Sequence, residues 1–464
     1  MKRRRLFGNT SLATKLALVA LVVTLVSLAV TATVGLVRGS ELADEIADAR
    51  FVSVASSRAD AIQAATVAYE REIMSLALSP ATARTITDLG DAYLELGQQS
   101  VPTAALNDLT EFYISDIVPE LEDVRQSRVS AAFLVPDGDA AIHLQDAYSI
   151  PRAPTGEVAS GDDGTTVTIS PDLVLDAGDG SAYSELHPTV HQVYGQIAIQ
   201  SGFDDLFLID ARSDTVVYSV RKRIDFATSL DLGPHSGSAL SRLIDTFQDA
   251  SEPVGRFSDF SAYVPASERP TTFVASPVFD GSTLVGFIAG SLSVEPFDAI
   301  LSGRGDWNGF GDSGEAYLVG SDAIMRSTAR VFGETPAVYL AATAEPGPAQ
   351  LTDAQRRRMS ATGTTALVQP VDRQIVLQAS DSAGITDMVD HLGRNARVAY
   401  TPLDVTGNSW MVFAQVDRDE LDSPIEDYAR VMLFTVALFI VVVTFVAVRW
   451  SARLMAPIRA IAER

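Results

Sequence analysis

Two apolar runs without a charge stand near opposite ends of this chain, and any fold must accommodate both. Residues 16–37 lie between Lys15 and Arg38, and residues 431–448 lie between Arg430 and Arg449, with Tyr428 and Trp450 beside them. At 1.5 Å per residue, runs of this length match a hydrocarbon core of about 30 Å. Cations flank the cytoplasmic side of a span. Lys2, Arg3, Arg4, Arg5 and Lys15 precede the first run, and Arg449, Arg453, Arg459 and Arg464 follow the second. Both termini are therefore expected in the cytoplasm, with residues 38–430 outside a plasma membrane. The first run also has the basic start of a secretory signal, so cleavage stays open. A helix growing directly out of the run favours an uncleaved anchor.

The segment between the runs is acidic. Residues 39–429 hold 24 Lys and Arg against 58 Asp and Glu, a net −34, whereas the whole chain carries −24. Such a surface repels phosphate, so nucleic acid is not an expected partner. No cysteine is present, which excludes disulfide scaffolds, thiolate metal sites and thiol catalysis. The acidic surface reads as solvation. No loop has calcium-binding spacing, although Asp176, Asp179 and Gly180 hint at it. Neither a metal nor a cofactor is expected.

From residue 41 to 78 apolar residues recur at helical spacing, with no Gly or Pro until Pro80. This predicts a stalk helix continuous with the first span, and a homodimer in which stalks pair. Residues 81–150 read as helical, with Leu94, Leu96, Leu106, Leu109, Phe112, Ile117 and Leu121 as core. Residues 151–181 read as a loop. A helix is expected over 183–199, with Pro188 in its first turn. Strands follow at 205–210 and 215–221, a helix at 238–247, then strands at 254–264, 271–280 and 283–294. A smaller copy has strands at 315–320, 323–327, 397–402 and 409–416, with a helix at 350–361. The expected fold is α+β, with two tandem antiparallel-sheet modules between two transmembrane helices.

Gly202-Phe203-Asp204-Asp205-Leu206-Phe207-Leu208-Ile209-Asp210, with Val216-Val217-Tyr218-Ser219-Val220 and Asp225-Phe226 downstream, resembles the membrane-distal half of a double Cache sensor. So do Asp259-Phe260-Ser261-Ala262-Tyr263 and Phe273-Val274-Ala275-Ser276-Pro277. Gly314-Glu315-Ala316-Tyr317-Leu318-Val319-Gly320 with Met325-Arg326-Ser327 resembles the opening of the proximal half. Arg453-Leu454-Met455-Ala456-Pro457-Ile458 is similar to the start of a HAMP linker. Arg221-Lys222-Arg223 departs from the Lys-Glu pair of the family. The resemblance implies PAS-like modules and these divisions: cytoplasmic 1–15, spans 16–37 and 428–448, stalk and helical region 38–180, distal module 181–303, proximal module 304–427, and linker 449–464. It also implies a receptor acting through HAMP on an effector beyond Arg464. A nucleotide cyclase comes first, with a chemoreceptor, a histidine-kinase sensor half or a membrane-anchored binding module as alternatives. The chain itself is not expected to be an enzyme.

The candidate ligand contacts are Tyr183, His187, His191, Tyr218, Lys222, Asp225, Asp259 and Tyr263, with Tyr317 and Arg326 in the proximal module. His187 and His191 share a helix face at i, i+4, but Pro188-Thr189-Val190 between them lacks the glutamate of a zincin. Lys222 alternates with its flanking arginines if the strand reaches them. A buried cation binds a carboxylate, so the ligand is read as an amino acid or organic acid. Asp259 and Tyr263, four apart on a strand, would share a side with Tyr218 and hold an amine. Gly311-Asp312-Ser313-Gly314 mimics a serine-protease motif but lacks a local histidine base, and reads as a turn.

Overall fold

The computed structural model describes residues 12–150, 173–305, 307, 310–405 and 407–462. The loop expected over 151–181 lies mostly outside them. Two units emerge: one takes residues up to Phe51 and from Val416, and the other is Val52–Gln415.

In the first unit run the opening part of helix α1 (Leu12–Ala77) and helix α13 (Arg418–Ala462). Each contains a stretch long and apolar enough to cross a membrane, with its valines and leucines exposed. Leu42 and Ile46 also point outward. The side chains of the linker-like 453–458 and of Trp450 lie outside what is described.

The second unit begins with the rest of α1, unbroken as its lack of Gly and Pro predicts. Five elements follow: α2 (Pro80–Leu96), α3 (Thr103–Phe112), α4 (Val118–Arg125), α5 (Asp139–Tyr148) and α6 (Ala182–Ser201). Ser79 caps α2 ahead of Pro80, and Ser181 caps α6 by accepting from the Ser184 N–H. Leu96, Leu109 and Leu121 are buried as expected, whereas Leu94 and Leu106 are exposed, because the helices here bury narrow stripes. Pro188 stands inside α6 rather than in its first turn, since the helix begins at Ala182.

Strands β1 (Asp205–Asp210) and β2 (Thr215–Ser219) form a hairpin. After α7 (Ala239–Asp245) come β3 (Arg256–Phe257), β4 (Ser261–Tyr263), β5 (Arg269–Asp280) and β6 (Thr283–Leu292). The order is β2-β1-β6-β5-β3, with β4 also on β5, all antiparallel. One expected strand over 254–264 is thus two short ones, and β2 stops before Arg221. β1 is buried along its whole length, since the sheet is covered on both faces. Leu240, Leu243, Phe247, Phe207, Phe273 and Phe287 fill the α7 face. On the other face α2 comes close: a Cβ at Gly286 would strike Ile209 O and Ile86 Cγ2.

Helix α8 (Glu295–Leu301) leads to a second sheet: β7 (Glu315–Gly320), then α9 (Arg330–Glu334), α10 (Pro336–Ala342), α11 (Asp353–Thr362), α12 (Arg373–Ala379), β8 (Gly384–Val389), β9 (Asn395–Val405) and β10 (Asn408–Asp417). Its order is β7-β10-β9-β8. The expected strand at 323–327 reduces to single bridges, Val319 with Met325 and Ile324 with Pro370. Strand β8 was not anticipated. Tyr317, Tyr339, Met359, Val398 and Phe413 are central in the core. Gly311-Asp312-Ser313-Gly314 forms the turn into β7.

Candidate functional site

Helix α6 lays Tyr183, His187, His191 and Tyr194 along one buried face, where the i, i+4 spacing stacks them. The His187 and His191 rings lie 5.2 Å apart and nearly parallel, and Tyr183 stacks on His187 at 5.9 Å. Tyr148, from the end of α5, closes on His187 at 4.6 Å, and Tyr218 of β2 stands against both histidines. Tyr183 donates to Val217 O at 2.7 Å, pinning α6 to β2.

Lys222 reaches this aromatic cluster at His191. Its backbone is left-handed, φ 49°, and the side chain is buried with 1 % of the residue exposed. The conformation is held locally. Asp205 accepts from the amides of Leu206, Val220 and Arg221 and from Ser219 Oγ, and Ser219 Oγ accepts from the Lys222 N–H at 2.9 Å. Gln145 donates to Ile224 O and Phe226 O, tying the same loop to α5. Lys222 Nζ lies 3.3 Å from His191 Nδ1, and Tyr218 Oη lies 2.9 Å from the same atom.

The electrostatics follow. Burial, then the Lys222 charge, push the His187 pKa down to about 3. His187 donates through Nδ1 to Leu175 O at 2.7 Å, and its Nε2 is buried without a hydrogen-bond partner. Burial raises the Asp205 carboxyl to about 7, against the pull of Arg223. A groove of about 720 Å³ runs along the outer side of α6. Leu175, Pro188, Ile199 and Val220 line it together with the buried His191 and Gly195 and the exposed Arg221.

Five of the expected contacts therefore share one region: Tyr183, His187, His191, Tyr218 and Lys222. Lys222 opposes its neighbouring arginines, as expected, through a left-handed loop rather than strand alternation. Arg223 pairs instead with Asp204 at 2.9 Å. Asp225 and Tyr263 bond to each other, with Asp225 Oδ1 left unpartnered. The expected pairing of Asp259 with Tyr263 does not occur, because β4 begins at Ser261 and Asp259 precedes it. Asp259 accepts instead from Arg326 Nε at 3.0 Å, Arg326 NH2 at 2.8 Å and Trp410 Nε1 at 2.7 Å. It joins the two sheets, with Phe260 stacked on Trp410 at 5.5 Å. Arg326 is accordingly a joint residue. Tyr317 is a closed core residue donating to Gln415. Tyr148, Gln145 and Gly195 were not among the expected contacts, and Asp205 entered only within the Gly202–Asp210 stretch quoted for the resemblance.

Near Asp179, hydrogen bonds from Ser181, Ser184 and His143 overcome burial and hold its carboxyl at about 2. The aspartate is thus a turn and ion-pair group. Among the described residues no cluster of three His, Asp or Glu side chains is placed to hold a metal.

No protein-family model matches the sequence, and no curated protein matches it. Solved structures that resemble it include the ligand-binding domain of the Pseudomonas fluorescens chemoreceptor CtaA with L-leucine. That likeness has 16 % identity, 52 % of this chain and 78 % of that one, and a TM-score of 0.30. Two others are Pseudomonas aeruginosa amino acid chemoreceptor domains: PctB with L-Arg, at 17 % identity over 50 % and 79 % with a TM-score of 0.30, and PctC with GABA, at 16 % over 50 % and 81 % with 0.31. At such values the reading of the site rests on its own geometry.

Proposed function

We propose that this chain is a two-span receptor of the double Cache type, sensing a small molecule outside the membrane rather than catalysing a reaction. Residues 16–37 and 428–448 cross the bilayer. Residues 181–303 and 304–427 are the distal and proximal modules, and 449–464 open a HAMP-type linker toward a cytoplasmic effector. The stalk of α1 pairs with that of a second copy. Ligand binding shifts the chain between two arrangements, by no more than the ligand's differential affinity for them.

The observation carrying this reading is the groove along α6, whose lining residue His191 touches the buried Lys222. A mostly apolar concavity with a few convergent polar groups is the usual form of a small-molecule site. The test is thermal unfolding of the full chain in lipid nanodiscs against amino acids, organic acids, amines and divalent cations. A ligand at 100 times its Kd adds about 2.7 kcal/mol. Amino or organic acids are expected to raise Tm; a flat response to all four classes would refute the sensor. Topology is checked separately, since the chain has no cysteine. A Ser282→Cys variant should react with an impermeant maleimide on intact cells, and an Asn9→Cys variant only after lysis.

A further inference from the structure

We infer that the second sheet carries a ligand site of its own, a cleft between α8 and α9 that takes a primary ammonium group with an apolar body. This goes beyond the receptor reading and does not depend on the α6 groove.

The cleft has a volume of about 520 Å³, within the usual range for small-molecule sites. Leu301 of α8, Ala316 of β7, Ala329 at the start of α9 and Trp307 give it apolar walls. Acids enter from both helices. Glu295 and Asp298 stand three apart on α8 and so share a face, and Glu334 of α9 lines the same cleft.

The charges there do not cancel. Arg330 is fully engaged: its guanidinium donates to Glu334 at 2.9 Å, to Gly311 O at 3.1 Å and to Gly314 O at 2.7 Å, and it lies 5.0 Å from the centre of the Trp307 ring. Arg304, on the turn after α8, is exposed. Asp298 Oδ1 accepts from the Thr328 N–H at 2.8 Å, and among the described residues no cation pairs with Asp298 or Glu295. Burial, reinforced by the Glu295 charge, raises the Asp298 carboxyl to about 7 against the hydrogen bonds of Thr328. A partly enclosed cleft thus holds two carboxylates that lack a counter-ion. A primary ammonium brings three donors and no acceptor, and its hydrogen bonds to carboxylates are of the stronger, charge-assisted kind. The walls call for an apolar body on that ammonium. A metal ion would leave them uncovered, and among the described residues no three acids are placed to hold one.

Gly333 of α9 supplies a steric probe. A Cβ there would stand 3.8 Å from Thr328 Cγ2, another lining residue, in ordinary van der Waals contact. Gly333→Ala therefore suits the helix while narrowing the cleft. Calorimetric titration of the full chain in nanodiscs would use phenethylammonium, with 3-phenylpropanoate and 2-phenylethanol as controls of similar shape. The amine should bind about tenfold more tightly than either control. Asp298→Asn keeps the acceptor for the Thr328 N–H and should weaken the amine about tenfold. Gly333→Ala should weaken it without lowering Tm.

Proton release adds a readout that packing alone would not move. The charged groups around Asp298 are Glu295 on its own helix, Arg304 on the following turn, and Arg330 and Glu334 on α9. Asp298 must ionise to pair with the amine, which itself stays protonated up to pH 8. Affinity should rise about tenfold from pH 6 to pH 8, with protons released at pH 7, and both effects should vanish in Asp298→Asn. Equal or tighter binding of the carboxylate, no binding of the amine, or amine binding indifferent to Asp298→Asn or to Gly333→Ala overturns the inference. Should Asp298→Asn fail to fold, Gly333→Ala and the pH slope of the parent decide. The α6 groove contains neither residue, so amino or organic acids that still raise Tm in both variants keep the receptor reading whatever the amine does.

Discussion

Each sheet buries a histidine among tyrosines, and the charge beside that histidine differs in sign. Under β7, His391 Nε2 lies 3.2 Å from Glu315, with both side chains at most 1 % exposed. Glu315 also accepts from Gln415 Nε2 and from the Arg330 amide, and Gln415 accepts from Tyr317. Tyr317 and Tyr339 flank the ring, and Tyr339 donates to Gln369. Under α6, His191 meets a lysine, and a groove opens beside it. In the proximal sheet Glu315 is met by buried donors of its own module. The distal cluster pairs a cation with histidines and opens on a cavity. One network lies wholly in the core; the other lies beside a groove.

The largest effect should come from breaking the Glu315 network. Glu315→Ala removes the acceptor shared by Gln415 and the Arg330 amide and leaves buried donors behind. A loss of about 3–5 kcal/mol is expected, read as a fall in the denaturant midpoint of the full chain followed by far-UV circular dichroism. A loss below about 1 kcal/mol would mean that the network is not the keystone of that sheet.

The next effect concerns pH. With a folded pKa of about 3, His187 refuses a proton that the unfolded chain takes up near 6.5. It therefore costs stability as pH falls from about 6 toward 3, at about 1.4 kcal/mol per unit, and contributes nothing above 7. Asp205, raised to about 7, works in the opposite sense. Its folded form holds a proton that the unfolded chain releases, so its contribution is present below about 4 and lost as pH rises through 7. The two offset each other between pH 6 and 4. His187→Phe should uncover the Asp205 gain, making the variant's stability change from pH 6 to 4 more favourable than the parent's by about 2–3 kcal/mol. Asp298, also near 7 through burial, adds the same background to both chains and drops out. Parallel urea midpoints for the two proteins would contradict the shift assigned to His187.

A third substitution separates joint from site. Asp259→Ala leaves the Trp410 N–H without its acceptor and the buried Arg326 with Asp322 alone. A stability loss of about 1–3 kcal/mol is expected, with carboxylate binding unchanged within twofold. A tenfold loss of binding at full stability would return Asp259 to the ligand site.

This residue also marks where the sequence stopped being legible. The helix of α6, the hairpin of β1 and β2 and the shared face of His187 and His191 follow from local periodicity, and they bring most of the candidate contacts together. Asp259 meets partners 67 and 151 residues away, and no local pattern encodes that. Lys222 was picked out for its charge, but its inward turn depends on the Asp205 side chain gathering three amides. Strand β8 escaped because Gly384–Val389 is half-exposed and weakly alternating, and among the described residues it joins the sheet through β9. Side chains set by local spacing could be assigned from sequence; those set by chain crossings could not.

The smallest expected effect tests whether the cation or the hydroxyl governs His191. Tyr218→Phe removes the hydroxyl 2.9 Å from His191 Nδ1 and keeps the aromatic volume. The hydroxyl is buried and its loss should cost about 1 kcal/mol. Lys222→Met removes the buried ammonium 3.3 Å from the same atom, and its urea midpoint should fall by more than that of Tyr218→Phe. If Tyr218→Phe shifts the midpoint more, the hydroxyl rather than the cation holds the ring, and the distal cluster is closer in kind to the proximal core than the lysine beside its histidine suggests.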